Sequence, residues 1–394
     1  MTRLLFILSI TLLPHYAWSQ AADSAALKRS VVLQNARMIH ANYSDCVVEA
    51  KKMQSAIRDF ISAPDASKLD AARKAWTAAR RPYLQSETWR FYAGPIDDPD
   101  GPEQLLNSWP LDESFIEAPP GSVEPGIVGN ERLCPHITPS ALVRLNQADG
   151  EKNIACGWHA VEFLLWGQDR SATGPGDRPF TDYTTAPNAK RRGEYLQVCS
   201  DLIVQQLADL TEEWTPDDPK RYNANYRSMF EEDVDGSVKS IISALIFLSE
   251  NELAGNRLQV AWDTKDQENE HSCFSDTTWQ DNVMDATGLQ NVWLGTYVSA
   301  DSDKLTGPGL RELCIALQPD LEPKISALIA ANIAKARAIP QPFDQALLGD
   351  DEGPGRTAVM ALIASLEDTG EELRKLARAL NIEIPEVPPE GVEG

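Results

Sequence analysis

The sequence predicts an all-α fold of two helical-bundle lobes. Long stretches carry apolar residues at helical spacing, Pro- and Gly-rich segments separate them, and nowhere is there sustained period-two alternation with turn signals. Residues 27–62 place Val31, Ile39, Val47, Ile57 and Ile61 on one such pattern, and 66–93 form a second helix, broken or kinked near Pro82. Residues 94–139, dense in Pro and Gly, are mostly loop. Helices follow at 153–168 and 190–214, then at 234–263, 276–299, 308–338 and 355–381. The segment 215–219, with Pro216 and Pro219, marks the lobe boundary, giving lobes of 20–218 and 219–384 and a disordered tail at 385–394. Four helices in each half fit a pair of similar four-helix units; the echo of Trp76 and Trp89 in Trp279 and Trp293 is slight.

Residues 1–19 read as a cleaved export signal. Arg3 supplies the positive start, a short apolar run follows to Leu13, and Ala17-Trp18-Ser19 fits the small-x-small rule before Gln20. The apolar run, about ten residues, is too short to span a bilayer, and no later stretch reaches that length without a charge. The mature chain is therefore expected in the periplasm or outside the cell, or peripheral to the outer membrane, with no transmembrane segment. A formal charge of −23 disfavours nucleic acid and anionic lipid as partners. The six cysteines, Cys46, Cys134, Cys156, Cys199, Cys273 and Cys314, form no CxxC pair, so structural disulfides or buried thiols are expected rather than a thiolate metal cluster.

The chemistry concentrates in 156–167, Cys-Gly-Trp-His-Ala-Val-Glu-Phe-Leu-Leu-Trp-Gly, where Glu162 is the one formally charged residue between Lys152 and Asp169. A helix apolar all round is buried. His159 and Glu162, at i and i+3, share a face, and a buried carboxylate is costly unless it is paired or binds a metal. Imidazole nitrogen with carboxylate oxygen suits a divalent ion, iron or zinc. The competing reading is a structural pair joined to an arginine from another helix. On the second helix Trp76, Arg80, Tyr83, Glu87 and Arg90 fall within about 40° of one line, which makes Glu87 a candidate third ligand with Arg90 as its partner. Asp112 and Glu113 follow the Trp109-Pro110 step, and they either line the site or cap a helix. His271 stands among Asp266, Glu268, Glu270 and Asp276, in a segment that either closes over the site from the second lobe or is an acidic loop holding a hydrogen-bonded histidine.

Gly157-x-His159-x-x-Glu162 resembles the Gly-x-His-x-x-Glu signature of the imelysin-like family, which includes iron-regulated proteins. The resemblance extends through Ala71-Arg73-Trp76-Arg80-Tyr83-Glu87-Arg90-Phe91 and through 107–113, Asn-Ser-Trp-Pro-Leu-Asp-Glu. It continues in 252–255, in 263–268 and 270–276 with His271, Ser272 and Asp276, and in 290–297. It implies two helical lobes with a site near their interface, a role in iron acquisition beside an envelope uptake system, and, by the family name, peptidase activity. That last expectation meets a difficulty, because Phe163 stands where an inverted zincin has its second histidine and no His-Glu-x-x-His occurs. Glu162 would be catalytic only in a peptidase. Relatives of the fold linked to polysaccharide uptake make Trp109, Trp158 and Trp166 candidate stacking platforms.

Overall fold

The computed structural model describes residues 13–119, 121–171, 173–216 and 224–385, with only the backbone described for 13–22. Its first helix, Leu13–Ser62, buries Val32, Ala36, Ile39, Tyr43, Cys46, Ala50, Met53, Ile57 and Phe60, alternating steps of four and three residues. That repeat keeps one seam facing neighbouring helices along the whole length. Ala66–Gln85 and Ala189–Glu213 pack along it, and the short Trp158–Trp166 helix lies against both of them. Asp65 starts Ala66–Gln85 by accepting the Lys68 N–H at 2.8 Å.

The second bundle begins with Val234–Phe247, which runs on into a π-helical stretch, Leu248–Gln259, and a last α turn, Val260–Thr264. Pro354–Ala379 packs against this rod and against Glu322–Ala338, which in turn meets Thr278–Leu294. The halves join where Thr278–Leu294 crosses Ala66–Gln85 and the 3-10 turn Ser86–Trp89. Gly288 permits that crossing, since a Cβ there would stand 2.5 Å from the Gln85 carbonyl oxygen.

Several expected boundaries move. The helix expected to 93 runs through Pro82 to Gln85 and then tightens into the Ser86–Trp89 turn, so the break falls three residues beyond the proline. Within 94–139 lie the short helices Glu103–Leu106, Glu113–Glu117 and Gly126–Gly129. The helix expected at 308–338 is two, Leu310–Leu317 and Glu322–Ala338, parted at Pro319. A small antiparallel hairpin, Thr296–Val298 with Lys304–Thr306, is the strand content of the described residues. All six cysteines are buried free thiols, so the disulfide alternative does not hold in this structure. The proposed lobe boundary at 218, the signal residues 1–12 and the tail 386–394 lie outside the described residues. Among those described, no helix is long and apolar enough to cross a membrane.

Candidate functional site

The Trp158–Trp166 helix is apolar on every side and every residue in it is buried. Gly157 opens it at φ +98°, and a Cβ there would lie 2.6 Å from the Leu106 carbonyl oxygen. Both the left-handed backbone and the closeness of the 105–106 chain therefore require glycine. Gly157→Ala is expected to destabilise the protein by at least about 1–3 kcal/mol, read as a lower denaturant midpoint; an unchanged midpoint would refute this account.

His159 Nδ1 and Glu162 Oε2 stand 2.9 Å apart, and the other carboxylate oxygen, Oε1, accepts from the Ser275 N–H at 2.9 Å and its hydroxyl at 2.7 Å. Ser275 belongs to the second half of the chain, so the helix is tied across the interface. A second histidine comes with it. His271 is set edge-on to His159, ring centroids 4.7 Å apart, and its Nδ1 meets Asp281 Oδ2 at 2.8 Å. Ser272 donates its hydroxyl to the same oxygen at 2.6 Å. Trp109 also packs on His271, with ring centroids 5.7 Å apart and the planes near-perpendicular. Each imidazole is thus held through Nδ1 by its own carboxylate.

Burial, with Arg80 next, holds His159 well below the ordinary histidine range, and burial with Arg257 does the same for His271. Both rings are neutral at pH 7. Burial raises Glu162 to about 7, against the opposing pull of Ser275 and Arg80. When Glu162 is ionised it accepts from His159 Nδ1–H, which leaves Nε2 as a lone pair. That Nε2 is buried and has no hydrogen-bond partner among the described residues.

Beside the histidines lies a buried ion network. Arg257 bridges Glu87 at 2.6 Å, Glu252 at 2.8 Å and Asp285 at 3.1 Å. Arg90 reaches Glu87 at 3.1 Å, and Glu103 and Glu252 at 3.5 Å. Arg80 donates to Asn107 at 2.5 Å and lies 3.7 Å from Asp281. Against the guanidiniums of Arg80, Arg90 and Arg257 stand Glu87, Glu103, Glu162, Glu252, Asp281 and Asp285, all buried. Carboxylates exceed their cations here, so protons or an added cation must make up the difference.

The structure sorts the sequence candidates. His159, Glu162, His271 and Ser272 come together, with Trp109 at their edge. Glu87 and Arg90 are buried as expected, but Glu87 is committed to Arg257, Arg90 and, at 3.5 Å, Asn107. It is not brought to the histidine pair as a third ligand. Asp112 is exposed and caps the Glu113–Glu117 helix by accepting the Ser114 N–H, which removes it from the site. Glu113 instead lines a neighbouring cleft of 840 Å³ with Phe163, Asp169, Arg178 and Arg192. Asp276 sits in a carboxylate group next to the site. Trp158 and Trp166 are core residues, so they offer no stacking surface. Sequence reasoning missed Asp281, Ser275 and Arg257. Among the described residues no three His, Cys, Asp or Glu converge closely enough to hold a metal ion in this arrangement.

The imelysin family model (peptidase M75) matches residues 39–373. This chain belongs to the imelysin family. Over 338 residues it is 23% identical to "Iron-regulated protein A" of Synechococcus elongatus, covering 84% of this chain and 81% of that one. Two solved structures share the imelysin fold. An iron-regulated protein A precursor from Parabacteroides distasonis superposes with TM-score 0.65 at 21% identity, over 88% of this chain and 95% of its own. An imelysin-like protein from Psychrobacter arcticum also gives 0.65, at 13% identity, over 92% and 98%.

Proposed function

We propose that this imelysin-family chain is an exported protein of iron acquisition that binds a divalent metal, iron or zinc, through His159 and His271. The observation that carries the reading is the pair of buried neutral imidazoles, each backed by a carboxylate at Nδ1, with His159 Nε2 left unpartnered. A metal-ligating histidine characteristically gives its other ring N–H to a carboxylate, which fixes the tautomer and strengthens the ligand. Glu162 and Asp281 take that orienting part, so Glu162 moves from ligand to support. The excess of buried carboxylates favours an added cation. With two imidazoles supplied by the chain, the remaining coordination positions belong to water or to a ligand the metal brings with it. Export rests on the signal-like N-terminus and the iron connection on two relatives called iron-regulated protein A, while an envelope uptake partner rests on the family resemblance alone.

Metal analysis of protein from a chelator-free periplasmic preparation, followed by calorimetric titration, tests this. Stoichiometric iron or zinc is expected in the parent and lost in both His159→Ala and His271→Ala. A parent whose melting temperature and heat signal ignore ferrous iron and zinc would overturn the reading.

A metal-dependent peptidase is the second reading, favoured by a Glu162 near pH 7, where a general base works best. Against it, both Glu162 oxygens are enclosed, and Phe163 packs on Phe274 at 5.3 Å where another histidine would be needed. Metal-dependent cleavage of a denatured protein, abolished in Glu162→Gln, would establish the peptidase.

A further inference from the structure

Arg80 is fully buried, yet one edge of its guanidinium is uncommitted. Nη1 donates to Asn107 Oδ1 at 2.5 Å, while Nε and Nη2 have no hydrogen-bond partner among the described residues. Asp281 Oδ2, 3.7 Å from Nη2, is too far for a hydrogen bond, and it already accepts the Ser272 hydroxyl and meets His271 Nδ1. Nε–H and the adjacent Nη2–H run parallel along that edge, the fork that takes both oxygens of a carboxylate. Three rings wall the cation, with Cζ 5.7 Å from the centroid of Trp76, 5.6 Å from Tyr83 and 5.8 Å from Trp158. Trp76 spends its indole N–H on the Trp158 carbonyl at 3.0 Å. The Trp158 indole N–H and the Tyr83 hydroxyl, by contrast, are buried without a partner among the described residues. Unused donors thus gather on three side chains packed against one another.

Buried donors left dry are costly, and the ligand that satisfies a guanidinium fork is a planar anion with two oxygens to offer. The fork adjoins the histidine pair. Trp158 precedes His159 in the chain, and Asp281 Oδ2 stands 3.7 Å from Arg80 Nη2 and 2.8 Å from His271 Nδ1. We infer that the free edge of Arg80 binds a carboxylate-class oxyanion, bicarbonate or the carboxylate of a chelator, which accompanies the metal at His159 and His271. This rests on the histidine reading above, and it names the ligand that fills positions two imidazoles leave open. Charge balance points the same way. A dication with a monovalent anion adds one net positive charge where buried carboxylates outnumber guanidiniums, whereas the anion alone would deepen the imbalance. The anion therefore binds with the metal and not before it. Arg80 lies on Ala66–Gln85 and Asp281 on Thr278–Leu294, so metal and anion together would brace the crossing of the two halves.

The test is isothermal titration calorimetry of zinc sulfate into chelator-stripped protein, in buffer freed of carbon dioxide, with sodium chloride, bicarbonate or formate at equal ionic strength. Preformed zinc citrate is titrated in chloride as a further arm. Bicarbonate or formate is expected to tighten zinc binding at least about tenfold over chloride. Zinc citrate binding as an intact complex, with zinc in chloride remaining weak, would support the proposal with the chelator as the source. Arg80→Lys keeps the charge and loses the fork, so it should bind zinc as the parent does in chloride and ignore the anion. The infrared carboxylate band of labelled formate should shift on zinc loading in the parent and not in this variant. If Arg80→Lys does not fold, Trp158→Phe, which removes one N–H and no charge, should lose part of the anion effect. Zinc binding equal in chloride, in every carboxylate and as citrate, or an anion effect undiminished in these variants, overturns the proposal and leaves the histidine site standing. A parent that takes no zinc under any of these conditions overturns both.

Discussion

Glu162→Gln is expected to raise the melting temperature of the metal-free protein at pH 8 while weakening its binding of zinc or ferrous iron by ~10–100-fold. Both effects come from one carboxylate. Burial puts Glu162 at about 7 in the folded protein, above its ordinary value of 4.5. A group raised on folding contributes stability that is fully present below the unfolded pKa and lost as pH rises through the folded one. Between pH 4.5 and 7 the parent therefore gives up stability, on the order of 3 kcal/mol by pH 8. Glutamine carries no charge and escapes that loss, while its amide oxygen still accepts from Ser275. The advantage should shrink toward zero as pH falls to 5 and below. Metal binding suffers for a different reason. The amide N–H₂ donates to His159 Nδ1, so the ring proton moves to Nε2 and covers the lone pair that would ligate the ion. Melts at pH 5 and pH 8 with parallel titrations read both arms. Equal melting temperatures at pH 8, or unchanged affinity, would count against this account of the pair.

Arg257→Met is expected to cost about 3–5 kcal/mol in a urea melt at pH 7.5, among the largest losses any single substitution here should give. The guanidinium bridges Glu87, Glu252 and Asp285, and each of these is buried. Removing it leaves Glu87 and Glu252 to Arg90, and Asp285 to the field of Arg80 alone. Burial pushes Glu252 upward, but Arg257 and Arg90 outweigh it and hold the group at about 2. A depressed carboxyl stabilises above its unfolded pKa, near 4.5, and loses that contribution as pH falls toward 2. The gap between parent and variant should therefore be widest at neutral pH and narrow below about pH 4.5. Adding Glu87→Gln to the variant should restore part of the loss. A change below about 1 kcal/mol at pH 7.5 would show that the network is not stabilised through this bridge.

How much of this was legible in the sequence depends on which residues had local partners. The His159–Glu162 pair was readable because both members lie one turn apart on a helix with no other charge. The burial of Glu87 and Arg90 was readable from the stripe they share with Trp76 and Tyr83, although the helix ends before either of them. What Glu87 binds was not, since Arg257 lies 170 residues away. Asp281 escaped notice because Gln280, Asp281, Asn282 and Asp285 look like the wet side of a helix. In the structure all four are buried. Asp281 meets His271, Ser272 and Arg80, and Asp285 meets Arg257, and a single sequence does not tell a solvated face from one that meets such partners. For Asp112 the sequence left two readings open, and the capping one holds, since an Asp two residues before Ser114 is what a helix start requires.

Glu252 and Arg257 stand five residues apart, which matches the hydrogen-bonding repeat of the π stretch Leu248–Gln259 that carries them. Each winding of that stretch holds more chain than an α winding does. Excising one residue from it would let the rod relax toward the ordinary pitch, and everything beyond the cut would turn by roughly 100° relative to Val234–Phe247. The same excision at 299–303, in the exposed turn of the small hairpin, would shorten a loop and rotate nothing. Tolerance to length change along this chain should therefore be sharply uneven. A deletion scan would find the middle of an unbroken helix among the least forgiving places, because there the count of residues sets the direction in which Arg257 points.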